Sequence, residues 1–304
     1  MNEPIDIIVP YVNCWDPKWL DLATKNIETI IYNNYRDLGT IKYFFRGVEY
    51  NMPWINNVYF VVQSKSQIPT WLNINHPKLK IVYHSDYIPE KYLPTYNSNV
   101  IELFYNKIKG LSNQFIVAND DMVAIRPLTK DNFFNNGKIV YTTKKHENFT
   151  LNDCKTLFEI TIYNTVKSVG KITAKNNHTL YKHYHLFTPH LKSLYDYGWK
   201  KYKHSLIESF NHSKVRTNKN ITHYLFLFLA EELKLVENYE NYKEGYIELF
   251  DSSKYEDVIS FLNNNNSKMC CLNDNFKLTN DNEARKMINL ILDTYLPNKS
   301  LFEL

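Results

Sequence analysis

The chain opens on an apolar, β-rich run, Ile5 to Val12, closed by Asn13-Cys14-Trp15-Asp16-Pro17. A short apolar run bounded by turn-forming residues predicts a buried strand. Asp16 before Pro17 has the form of a helix N-cap with proline at the first helical position, which predicts a helix towards Tyr32. Leu38, Ile41, Phe45 and Val48 recur at helical spacing and predict a second helix over 36–50. Val58 to Val62 and Leu79 to Tyr83 read as strands, separated by the loop through Gln67-Ile68-Pro69-Thr70-Trp71-Leu72. A long loop, Ser85 to Asn97, leads into a helix from Ser98 to Lys109 that Gly110 closes. Gln114 to Val117 is a fourth strand, with Asn119-Asp120-Asp121 at its end. Strands alternating with helices predict an α/β fold built on a mainly parallel, Rossmann-like sheet, whose ligands gather beyond the C-terminal strand ends.

Past Ile139 to Thr142 the pattern turns polar and aromatic, and 153–168, 189–212 and 219–236 read as helices. They predict a mainly helical second lobe, 144–264, over the crevice of an α/β core formed by 1–143 and 265–304. Asn263 to Asn266 reads as a loop, Met269 to Leu272 as a final strand running into Asn273-Asp274-Asn275, and Asn282 to Tyr295 as a terminal helix.

Composition then narrows the function. Apolar residues at 44% and charged residues at 22% of 304 exclude a disordered or collagenous chain. With 7 glycines and no GxGxxG or Walker pattern, a glycine-rich phosphate loop has no material. A net charge of +4 without a basic block argues against a nucleic-acid surface. The four cysteines, Cys14, Cys154, Cys270 and Cys271, lack CxxC or Cys/His zinc spacing, which suits a reducing compartment. The longest apolar runs, Ile7 to Val12 and Tyr224 to Ala230, fall short of the roughly 20 residues that cross a bilayer. The expectation is a soluble cytoplasmic protein, with peripheral association at the inner membrane face left open.

Asp120-Asp121 directly after an apolar strand suits a hard divalent cation, Mg²⁺ or Mn²⁺, that also binds a diphosphate; the alternative is a turn and a cap. Asn273-Asp274-Asn275 offers a second carboxylate at a strand end, and two such ends in one sheet can converge on one crevice. Lys42 and Arg46 share a helix face and could grip a phosphate or simply face water. Arg216, before a helix expected near Lys219, could hold an anion or form a surface ion pair. His183, His185 and His190 have no zinc spacing, and one of them could serve as a general base.

Several blocks together resemble the Stealth family of sugar-1-phosphate transferases, which includes bacterial capsule and exopolysaccharide phosphotransferases and the animal N-acetylglucosamine-1-phosphotransferase. The first runs Ile5-Asp6-Ile7-Ile8-Val9-Pro10-Tyr11-Val12-Asn13-Cys14-Trp15-Asp16-Pro17-Lys18-Trp19. The second and most specific takes in Arg36-Asp37, Lys42-Tyr43-Phe44-Phe45-Arg46, Pro53-Trp54-Ile55 and the Gln67 to Asn73 loop. It continues through His84-Ser85-Asp86, Leu93 to Ser98 and Ile101-Glu102 to Asn119-Asp120-Asp121-Met122. The third is His185, Pro189, Lys192-Ser193 and Lys214-Val215-Arg216; the fourth is Cys271 to Asn275 with the segment Tyr295 to Glu303. Cys14 stands where the family has a small Gly, Phe187 where it has a first Pro after the histidine, and Asn220 where an Asp is common.

The resemblance implies an enzyme that transfers a hexose or N-acetylhexosamine 1-phosphate from a UDP-sugar to a saccharide hydroxyl, free or lipid-linked, releasing UMP in surface polysaccharide synthesis. It implies Asp274 with Asn273 or Asp120 at a Mg²⁺ or Mn²⁺ ion. Lys42, Arg46 and Arg216 would contact phosphate oxygens, and His185 or Asp121 would be the base. Asn13, Asn97 and Ser98 would bind nucleotide or donor sugar, with Asn119 and Lys192 also on the substrate. Two rivals predict different outcomes: a metal-dependent glycosyltransferase that releases UDP, and a carbohydrate-binding module that needs no strand-end carboxylates.

Overall fold

The computed structural model describes residues 3–141, 143–146, 150–170, 180–183, 185–238 and 245–304. Its elements in chain order begin with β1 (Ile5–Pro10), α1 (Pro17–Asn26), α2 (Thr40–Asn51), β2 (Val58–Val62), β3 (Leu79–Tyr83), α3 (Ser98–Leu103), β4 (Gln114–Val117) and β5 (Met122–Ala124). The middle holds β6 (Phe134–Asn135), β7 (Lys138–Tyr141), β8 (Thr143–His146), α4 (Leu157–Ser168), β9 (Leu180–His183), β10 (Thr188–Leu191), α5 (Lys192–Lys201), α6 (Lys203–Phe210) and α7 (Tyr224–Glu232). The chain closes with β11 (Val236–Asn238), β12 (Tyr246–Leu249), α8 (Tyr255–Asn264), β13 (Met269–Asp274) and α9 (Asp281–Asp293).

Strands β1 and β2 are buried on both faces because helices cover a parallel sheet, which is why Ile7 to Val9 and Val58 to Val62 read as apolar without alternation. The central sheet has the order β10-β4-β1-β2-β3, parallel except for β10. This is the expected α/β architecture with a mainly parallel sheet. A second sheet, β12-β13-β5, pairs Cys271 with Met122 antiparallel and so brings the C-terminal strand beside the end of β4. One apolar cluster runs through Ile7, Phe60 and Phe115 of the sheet and Val166, Leu194 and Phe226 of α4, α5 and α7. Helices α4 to α7 therefore share the core of the sheet, whereas α8 packs with α9 in a second cluster, and the segment before α5 supplies the edge strand β10.

Several elements differ from expectation. The first helix ends at Asn26 instead of reaching Tyr32, because Ile27, Thr29, Ile30 and Ile31 are β-branched and Ile27 is extended. The second helix starts at Thr40, after Gly39 at φ +91°, with Asp37 Oδ1 accepting from the Gly39 N–H at 2.6 Å. Arg36 and Asp37 are thereby released from the helix. The helix at Ser98 stops at Leu103 and continues as a 3₁₀ turn, Tyr105–Lys107. The expected helix over 189–212 begins as strand β10, where Pro189 is tolerated because the strand lies on the sheet edge. The helix expected over 219–236 is confined to α7, and Lys234 at φ +57° turns the chain into β11. The Asn263 to Asn266 tract lies partly in α8 and ends with Asn266 at φ +48°. Helix α2 lies so close to β5 that a Cβ on Gly47 would sit 2.7 Å from the Ala124 carbonyl oxygen.

Candidate active site

A cavity of about 630 Å³ opens beyond the C-terminal ends of the parallel strands. Its wall is drawn from Tyr11 and Val12 after β1, Gln63 after β2, His84 after β3 and Asn119-Asp120-Asp121 after β4. Parallel pairing sets all these ends at one level, where an open α/β sheet binds its ligands. Arg36, Asp37, Ser98, Glu102, His185, Arg216 and Asn273 to Lys277 also line it.

The acidic side of the cavity is electrostatically tense. Burial, then the charges of Asp121 and Asp37, pushes the Asp120 carboxyl well above the ordinary carboxylate range. Burial also raises Asp121, against the opposing pull of His185 and a thiol hydrogen bond. Cys271 Sγ donates to Asp121 Oδ2 at 3.3 Å, while Asp121 Oδ1 is buried and has no hydrogen-bond partner among the described residues. Burial lowers the His185 imidazole, so it is neutral near pH 7. Asn119 Nδ2 donates to His185 Nε2 at 3.3 Å, which makes Nε2 the accepting nitrogen.

The basic side contains two kinds of cation. Arg36, with its side chain wholly buried, donates through Nε and Nη2 to both oxygens of Asp274 at 2.5 and 2.7 Å, and to the Phe276 carbonyl at 3.0 Å. That pair raises Arg36 further and commits Asp274 to a guanidinium. Arg216 is exposed, lines the cavity and makes no ion pair among the described residues. It is carried by a loop that buried side chains hold in place. Asn97 caps α3 through its oxygen and donates to the His212 and Val215 carbonyls and to Asn220 Oδ1, all at 3.0 Å. Asn220 in turn accepts from the Thr217 N–H at 2.7 Å.

Of the residues expected in the site, Asn119, Asp120, Asp121, His185, Arg216, Ser98, Asn273 and Asp274 lie together in the cavity wall. The others lie elsewhere. Arg46 is inside α2 and bonds Glu303 at 2.8 and 3.0 Å and the Leu296 carbonyl at 2.9 Å, so its fork is taken up by the C-terminal segment. Lys42 sits with its ammonium 4.8 Å from the Tyr43 ring centre, outside the lining. The shared helix face of these two cations thus lies outside the cavity wall, with Arg46 turned to the C-terminal segment. Lys192 pairs with Asp196 at 3.3 Å on α5. Asn13 braces the loop after β1, its N–H donating to Gln67 Oε1 at 2.7 Å and its Oδ1 accepting from Trp15 at 3.0 Å. Asn97 acts on the Arg216 loop instead of lining the cavity. His190 lies in β10, and the His183 side chain falls outside the described residues.

Sequence reasoning assigns no role to Arg36, Asp37, Glu102 or Cys271. Glu102 is buried beside the cavity and pairs with His223 Nδ1 at 2.6 Å. Arg36-Asp37 and Ile101-Glu102 sit inside the family-like blocks, a signal that marks them without giving them a task; His223 carries none.

A divalent cation fits part of this set. Asp120 and Asp121 offer hard oxygen donors, and Asp121 Oδ1 has no hydrogen-bond partner among the described residues. Asp274 fits less well, since any ion there shares it with Arg36. Among the described residues, the group whose donor atoms cluster within 4.8 Å is Asp121, His185 and Cys271.

A family model described as "Stealth protein CR2, conserved region 2" matches residues 34–142, the stretch that carries Arg36, Glu102 and Asp120-Asp121. The chain is 32% identical to the capsular polysaccharide phosphotransferase WcwK of Streptococcus pneumoniae over the full length of both. It is 29% identical, again over both full lengths, to the receptor polysaccharide phosphotransferase WefC of Streptococcus oralis. Among solved structures it is loosely similar to mouse xyloside xylosyltransferase 1, at TM-score 0.39 and 10% identity over 89% of this chain and 98% of that one, a likeness too low to carry an argument. With a full-length relative at this identity and the conserved region placed along the cavity wall, the chain belongs to the Stealth family of bacterial capsular polysaccharide phosphotransferases.

Proposed function

We propose that the chain transfers a sugar 1-phosphate from a UDP-sugar to a hydroxyl of a capsular saccharide acceptor, forming a phosphodiester and releasing UMP at the cytoplasmic face of the membrane. The observation that carries this reading is an acidic strand end, Asp120-Asp121, sharing one cavity with a neutral histidine and with Arg216, which has no ion-pair partner among the described residues. Phosphoryl transfer needs little more than positioning and charge neutralisation, and these groups can supply both. In the proposed step the acceptor oxygen attacks the sugar-proximal phosphorus and the bond from that phosphorus to the bridging oxygen breaks. UMP leaves with the bridging oxygen, and the acceptor proton passes to His185 Nε2, which exchanges its Asn119 contact for the hydroxyl. Arg216 draws charge from the non-bridging oxygens through its planar fork. Asp120 and Asp121 would hold Mg²⁺ or Mn²⁺, which supplies further charge neutralisation when bound.

A donor labelled on the sugar-proximal phosphorus tests the reading. The label should enter the saccharide, UMP should accumulate, and phosphorus NMR should report a phosphodiester. Label departing as UDP with a phosphorus-free product would replace this reading with a glycosyltransferase. In the same assay His185→Ala should cut turnover with little change in donor binding. Normal turnover in that variant would move the base to Asp121.

A further inference from the structure

Cys271 has no part in the reaction above, yet it is fully buried against the acidic strand end. The antiparallel pairing of β13 with β5 sets Cys271 opposite Met122, and the Leu272 N–H donates to the Asp121 carbonyl at 3.0 Å. The thiol is therefore held by two strands beside the Asp121 carboxylate. His185 arrives from the turn before β10. One donor atom from each of Asp121, His185 and Cys271 lies within 4.8 Å of the other two. The Cys271 Sγ to Asp121 Oδ2 separation is 3.3 Å. For bonds of about 2.0 Å to oxygen and 2.3 Å to sulfur, a tetrahedral edge is roughly 3.5 Å, so this pair already stands near ligand spacing. Among the described residues Asp121 Oδ1 is buried with no hydrogen-bond partner, a second observation that leaves this carboxylate able to take a cation.

We propose that Asp121, His185 and Cys271 form a three-ligand site for a borderline-soft divalent cation of the zinc and cobalt class. Oxygen, imidazole nitrogen and thiolate sulfur together select such ions, whereas Mg²⁺ requires an octahedral shell of oxygens and holds its waters. Asp121 and His185 also line the cavity, so three protein ligands would leave a coordination position for water or a ligand oxygen. Binding exchanges the thiol proton, now given to Asp121, for a metal–sulfur bond, and the proton passes to solvent. Occupancy takes His185 out of the base role, so zinc should inhibit turnover and added Mg²⁺ should not relieve it. That consequence rests on the proposed reaction; the binding itself does not.

Titration of the full chain with Co²⁺ under a non-thiol reductant tests the site directly. The expected result is one equivalent bound, with a thiolate-to-cobalt charge-transfer band that Zn²⁺ abolishes and excess Mg²⁺ does not. Cys271→Ser should remove the band and weaken cobalt binding at least about tenfold, while Cys14→Ser and Cys154→Ser keep it. His185→Ala, at the cavity wall, should weaken binding comparably and covers the case in which the buried serine disturbs folding. Absence of the band in the wild-type chain, its survival in Cys271→Ser, or unchanged cobalt affinity in His185→Ala would overturn the proposal, as would displacement by Mg²⁺. Because the readout is a spectrum, failure of this site and failure of the phosphotransfer reading are separable: the labelled-donor assay addresses only the latter.

Discussion

Two arginines near the start of the conserved region each reach across the molecule to a C-terminal carboxylate, and they end in different places. Arg36 clasps Asp274 inside the cavity wall, whereas Arg46 clasps Glu303 away from it. The difference is set by Gly39. Its left-handed backbone starts α2 after Arg36, leaving that residue at the sheet edge, and places Arg46 within the helix against the C-terminal segment. Each guanidinium is tied to its carboxylate through two nitrogens, Nε and Nη2. Among the described residues, Arg216 on one side of the cavity and the Asp120-Asp121 pair on the other make no ion pair.

The contrast can be broken most sharply at the acidic end. Asp120→Asn should lower kcat/KM at least about a thousandfold, roughly 4 kcal/mol, measured as steady-state UMP release, because it removes a carboxylate from the cation site proposed above. A loss below tenfold would place the chemistry elsewhere in the cavity.

At the remote clasp the effect should fall on stability alone. Both side chains of the Arg46–Glu303 pair are 7% exposed, so Glu303→Gln leaves the buried guanidinium with the more distant, half-exposed Asp293 at 3.6 Å as its remaining carboxylate among the described residues and should cost about 3 kcal/mol in urea denaturation. Turnover per folded molecule should not change. Lost turnover at full stability would join this clasp to the site.

Arg216→Lys sharpens the other side. A planar fork can hold two phosphate oxygens and an ammonium cannot, so turnover should drop about tenfold, near 1.4 kcal/mol, with the melting temperature unmoved. Wild-type turnover would make Arg216 a surface cation.

The smallest effect is a gain. Asp120 binds its proton more tightly when folded, through burial and the charges of Asp121 and Asp37. The stability this group contributes is complete below its unfolded pKa of about 3.9 and is lost as pH rises towards its folded pKa. Asn carries no such charge. The variant should therefore melt higher than wild type at pH 8, by about 1 kcal/mol or 2 °C, and the advantage should vanish near pH 4. Equal melting at every pH would mean that Asp120 is not held under this tension.

Much of the fold is legible in the chain because its signals are local. Ile7 to Val9 and Val58 to Val62 are apolar without alternation because both faces of a parallel sheet are covered, and Asp16-Pro17 marks a helix start through its own side chain and ring. Asp120-Asp121 can be placed in the site since a strand of known direction delivers the residues after it to one edge. Expectation fails where long-range pairing overrules local preference: the stretch Thr188–Leu191 is a strand because the exposed edge of β4 takes it as a partner. Spacing alone assigns Lys42 and Arg46 to phosphate, and spacing fixes only their relation to each other.

The order of elements, the parallel sheet, the strand-end carboxylates and the family blocks follow from the residues themselves, because periodicity, capping and short-range spacing act within a few positions. Which charges are cancelled was decided only in three dimensions. Asp274 meets Arg36, Glu303 meets Arg46, and Cys271 comes beside Asp121 through contacts spanning more than a hundred residues, and a carboxylate's chemistry depends on that partner more than on its neighbours in the chain. The sequence alone determined where carboxylates could gather. Folding decided which of them were left without a counter-charge, since burial strips water from all of them and only tertiary contact supplies a replacement.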